Sequence, residues 1–163
     1  MNFPLQIGIL SDTHGYIHPD IVSLFSQCDI VVHAGDIIDE KTLSLLTPKQ
    51  SMVAVQGNND GHLVQLKTTE SIELPGGTLV VNHGHTYGRK QPSHNLLREA
   101  YPNVKMIVYG HTHKQLIEQD TIPWIVNPGA GGETRNHGSS KCLMLTIKSE
   151  QNWCIKPYNF SEL

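Results

Sequence analysis

Five short apolar runs in this chain end in the same kind of cluster. Residues 7–10 run into Ser11-Asp12-Thr13-His14, and 30–32 into His33-Ala34-Gly35-Asp36. Residues 52–55 run into Gln56-Gly57-Asn58-Asn59-Asp60, 78–81 into Asn82-His83-Gly84-His85, and 106–109 into Gly110-His111-Thr112-His113. Short β-branched runs bounded by turn residues read as strands. In open α/β sheets the carboxyl ends of strands form the crevice where ligands bind. With the five runs as neighbours in one sheet, five clusters of Asp, Asn and His converge on one spot.

Between the first three runs lie two helical patterns. Residues 20–26 carry Ile21, Leu24 and Phe25 at helical spacing, and 40–46 carry Leu43 and Leu46 and stop before Pro48. A third helix is expected over 92–100, with Pro92 near its first turn and Leu96, Leu97 and Ala100 on one side. Strand–helix–strand alternation predicts parallel pairing with helices covering the sheet. A hairpin is expected where Pro75-Gly76-Gly77 joins 72–74 to 78–81. In the last third, 116–119, 123–126, 142–147 and 153–156 read as strands without intervening helices, which predicts antiparallel meanders. The expectation is one α/β domain over 1–163, with a mixed sheet or two packed sheets.

Composition narrows the function. In 163 residues, 38% hydrophobic and 17% charged, there is enough apolar material for one buried core. A net charge of -3 leaves no basic stripe for nucleic acid. No apolar run approaches the ~18 residues of a membrane span, and the start Met1-Asn2-Phe3-Pro4 lacks a secretory pattern, so a cytoplasmic chain is expected. Cys28, Cys142 and Cys154 are scattered, which argues against disulfides and against a thiolate zinc site and suits reduced thiols. Ten histidines against twelve Lys plus Arg point instead to metal or proton chemistry.

Carboxylates, imidazoles and a carboxamide without thiolate suit Mn²⁺, Fe, Mg²⁺, Ni²⁺ or Zn²⁺ in an open site. Asp12 and His14 stand two apart, as do His111 and His113; in extended chain each pair points to one side. Any one cluster alone is ordinarily a turn, but five at successive strand ends are not explained by turn chemistry. Seven or eight candidate ligands exceed what one catalytic ion takes. A second ion sharing one carboxylate follows.

The order D-x-H, GD, GN, HGH, GHTH resembles the calcineurin-like metallophosphoesterase superfamily over residues 7–131. The small size, the variant Gly57-Asn58-Asn59-Asp60 and the later Asn127-Pro128-Gly129 are similar to its compact branch. That branch holds YfcE-type phosphodiesterases and the metallophosphoesterase-like subunit of retromer. The resemblance implies a four-layer α/β/β/α sandwich of two mixed sheets. It implies one ion on Asp12, His14, Asp36 and His113, and a second on Asp36, Asn58, His83 and His111, with Asp36 bridging and manganese the expected metal. The reaction implied is hydrolysis of a small phosphate ester by hydroxide held between the two ions.

One departure shapes the substrate. Monoesterases of the superfamily often carry a histidine, thought to protonate the leaving oxygen, where this chain has Asn59. A carboxamide donates a hydrogen bond but gives up no proton, and such acid help is worth ~10²–10⁴-fold. Diesters or good leaving groups are therefore expected. A phosphoprotein phosphatase is disfavoured, because those enzymes carry an arginine where Asp39-Glu40 stand. The alternatives are a phosphomonoesterase or nucleotide phosphatase on the same site, or a scaffold subunit of this fold. A homodimer is permitted but not required.

Other residues divide by surroundings. His85 is a candidate to contact phosphate or brace a ligand. Asp60 reads as a turn cap or a ligand orienter, and His33 as structural. Arg135 and His137 lie in the glycine-rich loop 129–138, where an arginine could meet a phosphate oxygen or simply face solvent. His18, His62 and His94 read as chemically idle.

Overall fold

The structure, a computed structural model, describes residues 2–161. Two five-stranded sheets face each other with helices outside, the four-layer arrangement expected. The first sheet holds β1 (Leu5–Leu10), β2 (Ile30–His33) and β3 (Ser51–Ala54) in parallel, with β9 (Ser139–Ser149) and β10 (Asn152–Ser161) continuing it antiparallel on the β1 side. The second holds β5 (Gly77–Asn82), β6 (Met106–Val108) and β8 (Trp124–Asn127) in parallel, edged by antiparallel β4 (Thr69–Leu74) and β7 (Leu116–Glu118).

The apolar runs are continuous because both faces of each central strand are covered. Period-two alternation then sorts the side chains. Ile7, Ile9, Val32, Val81, Val108 and Val126 point into the seam between the sheets. On the outer face of the first sheet, Val31, Cys142 and Met144 meet Ile21 and Phe25 of α1 (Pro19–Phe25). Gly8 lies under Phe25, where a Cβ would come within 2.8 Å of the ring. On the outer face of the second, Val80, Ile107 and Ile125 pack against Leu97 of α3 (His94–Ala100).

Three expectations need correcting. The five runs do not share one sheet: three belong to the first and two to the second, so their terminal clusters meet across the seam. The C-terminal strands are not a simple meander either. β7 and β8 form an antiparallel pair, but the pair folds back so that β8 inserts beside β6 in parallel, and the β7 excursion does the work of a crossover helix. Strand β9 then belongs to the other sheet. Finally, Pro92 is outside α3; the Ser93 hydroxyl caps it by accepting from the Leu96 N–H. The helix expected over 40–46 is α2 (Glu40–Ser44), capped by Asp39. Strands β9 and β10 run well beyond their apolar centres, because polar residues such as Lys141, Ser149 and Asn159 continue the pairing.

His18 has a structural place: buried, it caps α1 by accepting from the Asp20 N–H and stacks on Phe160. His94 contacts Glu118 and the Tyr109 hydroxyl, and His62 the Ile38 carbonyl. Cys28 and Cys142 are buried thiols and Cys154 is exposed; all three are free.

His33, at the end of β2, ties the first two strand-end loops together. Its Nδ1 accepts from the Gly35 N–H at 3.1 Å, which leaves the proton on Nε2 to donate to Thr13 Oγ1 at 3.0 Å. Complete burial pushes its pKa down to about 4, so the ring is neutral in the folded protein. Between the ordinary value near 6.5 and about 4 the unfolded chain binds a proton that the folded chain refuses, so stability falls as pH falls through that window. The loss due to His33 is about 3 kcal/mol. Urea denaturation of metal-free protein at pH 7 and pH 4.5 is expected to show a decline that is distinctly shallower in His33→Gln.

Candidate metal centre

The loop after β1 does not continue as extended chain. Asp12 and His14 have φ of 52° and 47°, Asp36 57°, and His111 and His113 70° and 62°. Five candidate ligands thus sit in left-handed backbone that L-residues avoid, at about 1–2 kcal/mol each. The same-side placement read from two-residue spacing is therefore reached another way. The N–H groups of Asp12, His14 and Gly15 donate to the carbonyls of Gly35, Asp36 and Ile37. The two loops are laced along their backbones, and the turns at each residue aim the side chains at the seam.

Close approach is built in by glycine at two positions. A Cβ on Gly57 would lie 2.1 Å from Asp36 Oδ1. Gly35, at φ 102°, has Gly57 N and His83 Nδ1 each 2.8 Å from where its Cβ would be.

The result is a buried cluster of two carboxylates and three imidazoles. Asp12 Oδ1 lies 3.3 Å from His113 Nε2, 3.9 Å from His83 Nε2 and 4.0 Å from His14 Nε2. Asp36 Oδ2 lies 3.5 Å from both His14 Nε2 and His83 Nε2. Ligating atoms fall within metal-holding distance in two groups, Asp12–His14–His113 and Asp12–Asp36–His83. Asn58 and His111 stand alongside as a pair, Asn58 Oδ1 being 3.2 Å from His111 Nδ1, with the His111 ring 5.3 Å from that of His83.

Backbone carbonyls orient the histidines. His83 Nδ1 donates to Ala34 O at 2.7 Å, His113 Nδ1 to Thr134 O at 2.7 Å, and His111 Nε2 to Arg89 O at 2.6 Å. Each ring therefore turns its other nitrogen inward, as a metal ligand needs. Asp12 spends Oδ2 on Ser11 Oγ and the His111 N–H. Buried Asp12 Oδ1, His14 Nε2 and His83 Nε2 have no hydrogen-bond partner among the described residues. Such orphans cost about 1–3 kcal/mol each. Oxygen and imidazole donors left bare at one point fit a divalent cation.

Electrostatics agree. Burial alone would push Asp12 and Asp36 up, but His113 and His83 for the former, and His83 and Asn59 for the latter, outweigh it and hold both below the ordinary carboxylate range. Burial likewise works against protonated His83 and His113, yet Asp36 and Asp12 hold both above the ordinary histidine range. Without metal, protons take the place of cations.

The remaining residues have definite places. Asn59 does not point into open space: its N–H and Nδ2 both donate to Asp36, at 3.0 and 2.8 Å. Asp60, fully buried, accepts from the N–H groups of Ile37, Ile38 and Gly57, so it caps its own turn and braces the chain beside Asp36. His85 stands half-buried at the rim, its ring 5.4 Å from His83 and 6.1 Å from His111. Burial and the neighbouring His83 hold its pKa down. Arg135 Nη2 comes within 3.5 Å of His113 Nε2. Sequence reading missed Ser11, and passed over the side chain of Asn127, which holds the 110–112 turn through Gly110 O and Thr112 Oγ1. A buried asparagine ending an apolar run was the available signal. The Arg89 and Thr134 carbonyls left none.

Comparison with known proteins places this geometry. The calcineurin-like phosphoesterase superfamily domain matches residues 5–150. A probable metallophosphoesterase of Methanocaldococcus jannaschii is 31% identical over 77% of this chain and 68% of its own length. A phosphodiesterase of the same organism is 27% identical over 77% of this chain and 83% of its own. Vps29 of Chaetomium thermophilum superposes with a TM-score of 0.77 at 14% identity, covering 98% of each chain, a likeness of fold alone. This chain belongs to the calcineurin-like phosphoesterase superfamily.

Proposed function

We propose that this chain is a dinuclear metal-dependent phosphodiesterase. The observation that carries the reading is Asp36 Oδ2, equidistant at 3.5 Å from His14 Nε2 and His83 Nε2, in a cluster where those two nitrogens and Asp12 Oδ1 are bare. Asp12, His14, Asp36 and His113 would hold one ion, and Asp36, Asn58, His83 and His111 the second. Manganese is favoured among the divalent metals such donors take. When bound, such a pair of ions lowers the pKa of water and offsets charge on a phosphoryl group. The chain's own residues do the rest. The Ala34, Arg89 and Thr134 carbonyls fix the rings, and Asn59 holds Asp36 in place from outside the cluster. His85, at the rim with its pKa held down, offers a neutral imidazole to a phosphate oxygen.

Asn59 also decides the substrate class. Its amide is committed to Asp36 and has no proton to give a departing alkoxide. Esters with leaving groups that depart unaided are favoured, which supports the diesterase over the monoesterase and accords with the name of one relative. No described helix is long and apolar enough to cross a membrane, and a cytoplasmic setting is part of the proposal.

Purified protein with Mn²⁺ is expected to turn over bis(p-nitrophenyl) phosphate. Loss of a residue that merely orients a ligand typically costs 10–100-fold, so Asp36→Asn is expected to lose at least about 10²-fold. Mn²⁺ at about 100 times its Kd stabilises the fold by about 2.7 kcal/mol, a gain that Asp36→Asn should not show in thermal denaturation. Folded protein inactive with every divalent metal would mean that the chain uses the fold for something other than hydrolysis.

Asn59→His places an imidazole where an acid could serve. Turnover of an alkyl monoester such as glycerol 2-phosphate, whose alkoxide needs a proton to leave, is expected to rise relative to p-nitrophenyl phosphate by about tenfold or more, toward the range of general-acid help. An unchanged ratio would remove Asn59 from the account of specificity.

A further inference from the structure

Beside the metal centre lies a cleft of about 510 Å³ walled by cations. Arg89, Lys90, Lys114 and Arg135 line it together with His111 and His137, and no carboxylate does. The chain as a whole is acidic, at -3, yet a third of its twelve Lys and Arg face this one opening. Among the described residues none of the four forms an ion pair with a carboxylate. Like charges gathered without counter-charge raise the local potential and attract anions.

The cations are also built into place. Arg89 and Lys90 lie on one loop and Arg135 on a second, each tied to a candidate metal ligand through a backbone carbonyl, while Lys114 directly follows His113 on a third. Arg89 gives its own carbonyl to His111 Nε2 at 2.6 Å. Thr134, next to Arg135, gives its carbonyl to His113 Nδ1 at 2.7 Å. The first loop is closed by the Ser93 N–H donating to Tyr87 O. Gly88 makes its turn possible, since a Cβ there would lie 2.2 Å from Gln91 O. In the second loop Arg135 and His137 both occupy left-handed backbone, at φ 47° and 56°. Buried Asn136 between them anchors the chain through Gly132 O and the Gly138 N–H. The backbone strain here serves exposed side chains, so packing does not explain it.

We infer that the ester accepted at this site carries a second phosphate group, seated in the cleft of Arg89, Lys90, Lys114 and Arg135 while the scissile phosphate lies at the metal centre. The inference rests on the metallophosphoesterase reading of that centre and names its substrate class: a small, nucleotide-sized polyanion. Volume fits, since sites for small ligands span roughly 300–1,000 Å³. No Phe, Tyr or Trp lines the cleft to stack on a base, so charge carries the recognition. The acidic balance of the rest of the chain disfavours a long nucleic acid.

The test compares two substrates with the same leaving group. Thymidine 5′-(p-nitrophenyl phosphate) is assayed with Mn²⁺ against its 3′-phosphorylated counterpart. Two or three new contacts between exposed charges correspond to a preference on the order of tenfold in kcat/KM for the bisphosphate. The preference should be largest near 50 mM salt and shrink at about 0.5 M, where screening is strong. In Lys90→Ala/Lys114→Ala the ratio is expected to collapse toward one. Equal kcat/KM for both esters in the unaltered protein overturns the inference and leaves the hydrolase reading standing. Should neither ester turn over, the hydrolase reading fails and calorimetry decides the cleft. Metal-free protein that binds tripolyphosphate, with binding weakened in the double variant, supports the anion site. Absence of binding, or equal binding by both proteins, overturns it.

Discussion

Asp12 and Asp36 are held out of water within reach of the same imidazoles, and the rest of the structure is arranged around keeping both ionised. An isolated carboxylate so placed would take up a proton. Here Asp12 is answered by His113, His83, Ser11 and the His111 N–H, and Asp36 by His83 and both donors of Asn59. These partners arrive from four different strand-end loops on two sheets. A sandwich whose parallel strands all end at one seam brings them together without long irregular segments. Removing any one partner leaves buried charge uncompensated, which costs far more than the lost contact alone.

Orientation is coupled across the seam by the same means. His83 follows β5 in the second sheet, but the carbonyl that fixes its tautomer is that of Ala34, two residues before Asp36 in the first. Gly110, preceding His111, takes the His83 carbonyl, and its own carbonyl is held by Asn127. His83 is thus tethered across the seam, while Gly110 and Asn127 tie the next candidate ligand within the second sheet. Slippage of one sheet against the other would misdirect several rings together. Strain in the left-handed residues is tolerated because these tethers over-determine each position.

Much of this was legible in the sequence, for an identifiable reason. Strands buried on both faces read as unbroken apolar runs, so their ends, and the polar residues there, stand out. The partition of five runs between two sheets was not legible, since an apolar run says that it is covered and not by what. The parallel seating of β8 beside β6 was hidden because consecutive strands without a helix between them read as antiparallel, and here the β7–β8 hairpin makes the crossover. Residue types in D-x-H and H-x-H pointed to the right cluster on a wrong geometric ground, extended chain, whereas left-handed turns do the aiming. Asn59 was recognised for the acid it is not; its grip on Asp36 depends on three-dimensional contact. The basic cleft was invisible because its four cations are spread over 47 positions of a net acidic chain (from Arg89 to Arg135, counting both ends).

Charge balance links the centre to the cleft. Two carboxylates contribute -2, and in metal-free protein protons held by His83 and His113 can return the cluster to neutrality. Two divalent cations in their stead, with the hydroxide that the proposed hydrolysis needs, would give +4 - 2 - 1 = +1. The single negative charge of a phosphodiester would answer that excess at the ions themselves. The cleft adds further positive charge within a few residues of His111 and His113, so a monoanionic ester would satisfy the loaded site poorly. An ester with a second phosphate would offset more of the field. On the proposed reading, the four cations of the cleft, and not the ions at the centre, would select for the more highly charged substrate.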